Sequence, residues 1–203
     1  MSRRLLFSVP LALAVCAGTA VAQSRFSVDL NGGAALPTQD LGAASLKTGV
    51  GFGFTGNVRV MPHLHLYAGW DWHRFITDEP LLAGDYDVED TGYAFGTRFQ
   101  HPLATKLDAW VRVGGLYNHI ELEDDAGDIV SDSGHELGWE AGGGLGYWVS
   151  PKVAIMPGMR YRTFSADLTL GQTTVPVDLS YVTVEIGLSY RFGGTPLSAA
   201  RVR

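Results

Sequence analysis

Residues 49–60 read Gly-Val-Gly-Phe-Gly-Phe-Thr-Gly-Asn-Val-Arg-Val, a strict two-residue alternation. Successive side chains of a β-strand point to opposite faces, so Val50, Phe52, Phe54, Val58 and Val60 share one face and Gly49, Gly51, Gly53 and Arg59 the other. The second face narrows the choice of fold. Glycine weakens a strand and brings nothing to a surface washed by water. It has a use in a crowded interior, where long neighbouring side chains need its space.

The same alternation recurs in Leu64 to Trp72, in Tyr93, Phe95 and Phe99, in Ala109, Val111 and Val113, and in Val182 to Phe192. Gly96, Gly114, Gly142, Gly144, Gly146 and Gly187 sit on the opposite parity. Eight strands are predicted, at about 25–35, 49–60, 64–75, 91–100, 107–119, 136–149, 153–164 and 181–192. No window holds a sustained 3.6-residue apolar period, so no long helix is predicted. Connections alternate between short turns at 61–63, 101–105 and 150–152 and long polar loops at 36–48, 76–90, 120–135 and 165–180. Turns at one end and loops at the other characterise transmembrane barrels, with turns periplasmic and loops extracellular. The fold class is therefore all-β, an eight-stranded antiparallel up-and-down transmembrane β-barrel.

A water-soluble barrel of the lipocalin type alternates too, and the polar face separates the two. By parity Asp29, Asp71, Glu140 and Glu185 point inward with Arg59, Arg98, Arg112, Arg160, Arg162 and Arg191. Every inward base is arginine, whose planar fork suits buried paired geometry. Lys47, Lys106 and Lys152 all fall at connections, whereas a soluble barrel scatters lysine over its water-facing strands. Outward aromatics form two bands. Trp70, Trp72, Tyr93, Tyr117, Trp139 and Tyr161 lie near the loop ends, and Phe26, Phe99, Tyr147, Tyr190 and Phe192 near the turns, as girdles at two membrane interfaces require.

The N-terminus reads as an export signal. Arg3 and Arg4 precede an apolar run from Leu5 to about Val15, and small residues lead to Ala20-Val21-Ala22, an A-x-A cleavage site. Residues 1–22 are assigned to a signal peptide, 23–192 to the barrel and 193–203 to a short C-terminal tail. Cys16, the only cysteine, falls inside the signal, in a stretch that loosely matches a lipidation box but has Val15 in a poor place for one. Subtracting Arg3 and Arg4 from 15 basic residues leaves 13 against 21 acidic ones, a net charge of about −8. Nucleic acid, which demands a basic face, is not an expected partner.

The last strand, Glu185-Ile186-Gly187-Leu188-Ser189-Tyr190-Arg191-Phe192, carries Gly187, Tyr190 and Phe192 at the spacing of the terminal-strand signal of outer-membrane barrels. Together with the stretch Gly33 to Gly53, residues 25–192 resemble the small barrels of the OmpA, OmpX and opacity-protein group, with OmpW-like barrels as relatives. The resemblance implies residence in the outer membrane among lipid and lipopolysaccharide, insertion by the barrel assembly machinery, and surface loops open to a ligand. It does not imply one shared activity. Two departures stand out. Gly193 to Arg203 follow Phe192, and Pro157, which cannot donate a ladder hydrogen bond, predicts a local bulge. No peptidoglycan-binding domain follows residue 192, so cell-wall tethering is not expected.

The inward charges are expected to plug the lumen, Glu140 and Glu185 pairing with Arg98, Arg112 and Arg160. Near the loop rim, Asp71, His73, His119 and His135 show no nucleophile motif and no metal-ligand spacing. Acids fill two loops, Asp78, Glu79, Asp85, Asp87, Glu89 and Asp90 in one and Glu121, Glu123, Asp124, Asp125, Asp128 and Asp132 in the other, without an EF-hand pattern. No cofactor, metal or catalytic residue is expected. The expected function is non-enzymatic: envelope structure or surface interaction through the loops. The alternatives are an OmpW-like narrow conduit for small apolar molecules and a lipid-A-modifying barrel hydrolase.

Overall fold

The computed structural model describes residues 25–41, 45–77, 86–124, 126–170 and 173–192. The predicted signal peptide, the tail at 193–203 and the loop acids Asp78, Glu79, Asp85 and Asp125 lie outside the described residues. Among the described residues nine antiparallel strands follow in order: β1 (Phe26–Pro37), β2 (Gly49–Met61), β3 (Leu64–Ile76), β4 (Asp87–Ala104), β5 (Leu107–Glu123), β6 (Ile129–Asp132), β7 (Glu136–Trp148), β8 (Val153–Leu170) and β9 (Thr173–Arg191).

Eight of them close a ring. Each strand from β1 to β5 pairs with the next, β5 pairs with β7, β7 with β8 and β8 with β9, and β9 returns to β1 from Ser27↔Arg191 to Pro37↔Tyr181. A closed ring leaves no strand edge to template aggregation, and it satisfies the backbone where no water is present. The ninth strand, β6, pairs only with the end of β5, on the edge that β7 occupies further along, and so extends the wall at the loop end. The turns are tight: Pro62-His63 joins β2 to β3, with Pro62 fixing one φ and His63 at φ 70°, the type II pattern.

Burial follows the alternation. Phe52, Phe54, Phe95, Val111, Val113, Ile186 and Leu188 are exposed on the outer wall, while Asp71, Glu140, Arg160 and Arg162 are buried on the inner one. This inside-out distribution suits a protein whose solvent is hydrocarbon.

Three expectations need correction. The fourth loop, at 165–180, is a continuation of β8 and β9, which pair through to Leu170↔Thr173. Its polar outer residues Ser165, Asp167 and Thr169 hide an inner row of Ala166, Leu168, Val177 and Leu179 that is buried. The ends of β4 and β5 likewise take in residues 87–90 and 120–123, and β4 runs through His101-Pro102 to Ala104. Pro157 makes no bulge: it pairs in register with Ile186, and the β7–β8 register is the same before and after it. The ladder instead omits two pairings, between Gly144↔Gly158 and Tyr147↔Ile155, on the side where the missing N–H of Pro157 faces β7.

Candidate functional site

The lumen is filled in tiers. Towards the loop end, Leu41, Leu46, Phe75, Val88, Ile120, Leu122, Leu168 and Leu179 form one buried apolar cluster with Tyr181. Towards the turn end, Trp110, Ala154 and Met156 form another. Charges occupy the space between.

Arg160 is the hub. Its Nη2 donates to Asp71 Oδ1 at 3.0 Å and to Glu185 Oε2 at 2.7 Å, and its Nη1 lies 3.5 Å from Glu140 Oε2. Arg162 lies 3.4 Å from Asp71 and 3.8 Å from Glu140. Arg112 donates Nε to Glu140 Oε1 at 2.8 Å and stacks on the Tyr67 ring, whose hydroxyl donates to the same carboxylate oxygen at 2.7 Å. Closely spaced opposite charges offset the cost of desolvating each of them. Glycine permits this packing. A Cβ on Gly114 would lie 2.2 Å from the Tyr67 hydroxyl, so a side chain there would displace the ring that seats Arg112 and Glu140.

Arg98 does not join this cluster as expected. It reaches Asp29 at 2.5 Å, and Asn57 Nδ2 donates to the same oxygen at 3.0 Å. Arg59 and Arg191 lie apart near the turn end, Arg191 over the ring of Trp148 at 4.0 Å. Gly187, Tyr190 and Phe192 lie along the closing seam, with the two outward rings 5.1 Å apart.

Several inner residues escaped the sequence reading. His73 and Asp90, assigned to the rim and to a loop, are buried in the lumen, where the Tyr181 hydroxyl donates to Asp90 and meets His73 Nδ1 at 3.1 Å. Asn118 also donates to Asp90. Parity carried the signal, since residue 73 follows 71 and residue 90 precedes 92 on the inner face.

Outside the ring the loop-end acids are paired rather than merely solvated. Arg74 bridges Asp87 at 2.5 Å, Glu89 at 3.2 Å and Glu123 at 3.4 Å, and Trp72 Nε1 donates to Glu89 at 2.7 Å. Among the described residues, His119 with Glu121 and Asp132, and Glu89 with Glu121 and Glu123, bring ligand atoms within 4.8 Å and are the groups a cation would use.

His119 Nδ1 lies 3.0 Å from Asp132 Oδ1, tying β6 to β5. Burial pushes the Asp132 carboxyl up, but hydrogen bonds from the Gly134 N–H and the His119 ring outweigh it and hold Asp132 below the usual carboxylate range. The stability this adds is present above the unfolded value of about 3.9 and is lost as pH falls through the lower folded value. Amide-exchange protection of Ile129–Asp132 is therefore expected to hold from neutral pH to about 4 and to fall below it. Asp132→Asn should remove that step; the same step in the variant would refute the assignment.

The family model for the outer membrane protein beta-barrel domain matches residues 7–192. No curated protein matches the sequence. Among solved structures, Neisserial surface protein A is 16% identical with a TM-score of 0.58, over 82% of this chain and 97% of that one. OprG from Pseudomonas aeruginosa is 17% identical with a TM-score of 0.56, over 85% and 99%. AlkL, solved in lipid bilayers, is 16% identical with a TM-score of 0.50, over 89% and 94%. The closed ring, its apolar outer wall and a family match across all of the described strands agree: the chain belongs to the outer-membrane β-barrel domain family.

Proposed function

We propose that this protein is a closed, non-enzymatic barrel of the outer membrane, acting in envelope structure or surface interaction through its extracellular end. The observation that carries this reading is the middle tier, where Asp71, Glu140, Arg160 and Arg162 are buried and pair with one another, beneath an apolar cap. An ion crossing the lumen would have to separate those pairs. Facing outward instead are the β5–β6 end and the β8–β9 hairpin, joined where Ser131 Oγ donates to the Thr169 carbonyl at 3.0 Å. On this reading lipopolysaccharide surrounds the extracellular rim and a surface ligand meets the hairpins. Export depends on residues 1–22, and the assembly machinery reads Gly187, Tyr190 and Phe192.

A second reading draws on the cap itself. Its apolar side chains inside the extracellular half suit a narrow conduit for small apolar molecules. Purified protein in a planar bilayer is expected to leave conductance at the bare-membrane level, and discrete conductance steps would refute closure. Uptake of an apolar tracer by cells, lost on deletion and restored by the gene, would favour the conduit.

A further inference from the structure

The inner wall carries a row of cross-strand neighbours, Arg59↔His65, His65↔Arg98 and Arg98↔Arg112, in which the guanidinium groups of Arg98 and Arg112 stand directly opposite each other. The β1–β2 register, with Phe26↔Val58, continues the row to Arg25 beside Arg59. Like charges directly opposite one another destabilise a sheet unless something answers them. Glu140 answers Arg112 and Asp29 answers Arg98. Among the described residues no salt bridge reaches Arg25, Arg59 or Arg191. Asp108, nearby, accepts from Gln100 at 2.8 Å and from Trp148 at 2.6 Å.

These groups converge at the periplasmic mouth on a narrow recess of about 10 Å³, whose lining includes Arg25, Ser27, His65, Arg98, Ser189 and Arg191 and no carboxylate. Arg98, 5% exposed, leaves its Nε without a hydrogen-bond partner, as does His65 its Nδ1. Beside it a wider recess of about 240 Å³ shares Arg25 and adds Arg59, Val60, Met61 and Pro62, with Val60 and Met61 exposed on the lipid-facing wall, and this is the space that admits a ligand.

We propose that the periplasmic mouth binds a phosphate group. The guanidinium forks of Arg25 and Arg59, which no carboxylate pairs among the described residues, match an oxyanion with several acceptor oxygens. The apolar flank beside Arg59 suits the headgroup of a periplasmic-leaflet phospholipid, and free phosphate offers the same chemistry. The inference rests on the family assignment and is independent of whether the lumen conducts.

The test uses the full chain refolded in nonionic detergent. Native mass spectrometry follows retention of phosphatidylglycerol against diacylglycerol, which lacks phosphate, and calorimetry follows inorganic phosphate against chloride. Phosphatidylglycerol is expected to be retained and diacylglycerol not. Arg25→Gln with Arg59→Gln should weaken binding about 30-fold, roughly fivefold for each guanidinium. Heat-modifiable gel mobility reports folding, and Arg25→Gln alone, outside every strand, gives a readable fivefold loss if the double variant does not fold. Inorganic phosphate binding with the same arginine dependence, without lipid retention, would assign the site to soluble phosphate and support the proposal. It is overturned if the wild type binds neither probe above its control, or if the folded variants bind both as the wild type does.

Discussion

Replacing Arg160 by alanine is expected to lower the unfolding free energy of the refolded barrel by about 3–5 kcal/mol, read from urea titration in lipid vesicles. The size follows from what is left behind. Asp71, Glu140 and Glu185 all lie within 3.5 Å of the Arg160 guanidinium, and its side chain has no solvent exposure. Without it three buried carboxylates depend on Arg112 and Arg162, neither of which is within 4.0 Å of Glu185. Removing Glu185 as well, in Arg160→Met with Glu185→Gln, should cost less than Arg160→Ala alone, because it deletes one uncompensated charge and keeps volume. Arg74→Ala is the contrast: its side chain is 38% exposed, so water screens its three acids and the loss should be about 0–1 kcal/mol. A loss for Arg160→Ala no larger than for Arg74→Ala would show that the buried cluster does not hold the ring.

Which residues share a wall is a local property of a strand, and alternation displays it within a few residues. The eight ring strands were legible for that reason, as was the sharing of one face by glycine, arginine and acid. Which charges meet is not local. Arg98 neighbours Arg112 along the row, yet it reaches Asp29 across 69 positions because the strands tilt and the register is sheared. Strand ends were harder still. Residues 165–180 are rich in Asp, Ser, Thr and Pro176 and so read as a loop, but their alternate residues bury against Val88, Ile120 and Leu122. That contact lies between segments far apart in sequence. The late start predicted for the fourth strand consigned Asp90 to a loop, and His73, inside the third predicted strand, was read as rim polarity although its parity matched the lumen.

Closure of the ring gives the other large effect. Gly33 pairs with Glu185 across the β1–β9 seam. A Cβ at Gly33 would lie 2.1 Å from the Val184 carbonyl oxygen and 2.7 Å from the Glu185 Cα, both backbone atoms that cannot rotate away. Gly33→Val should therefore force β1 from β9 and abolish the heat-resistant fast-migrating form after refolding into vesicles, since overpacking against fixed atoms costs at least about 1–3 kcal/mol. Gly187 lies on the same seam opposite Asn31, but a Cβ there meets Met156 Cβ at 3.2 Å and no atom closer. Gly187→Ala is expected to refold in vesicles at close to the wild-type yield. If it then accumulates unfolded in cells, the defect lies in recognition by the assembly machinery rather than in space. Wild-type yields of heat-resistant Gly33→Val would mean that the seam has room the geometry denies it.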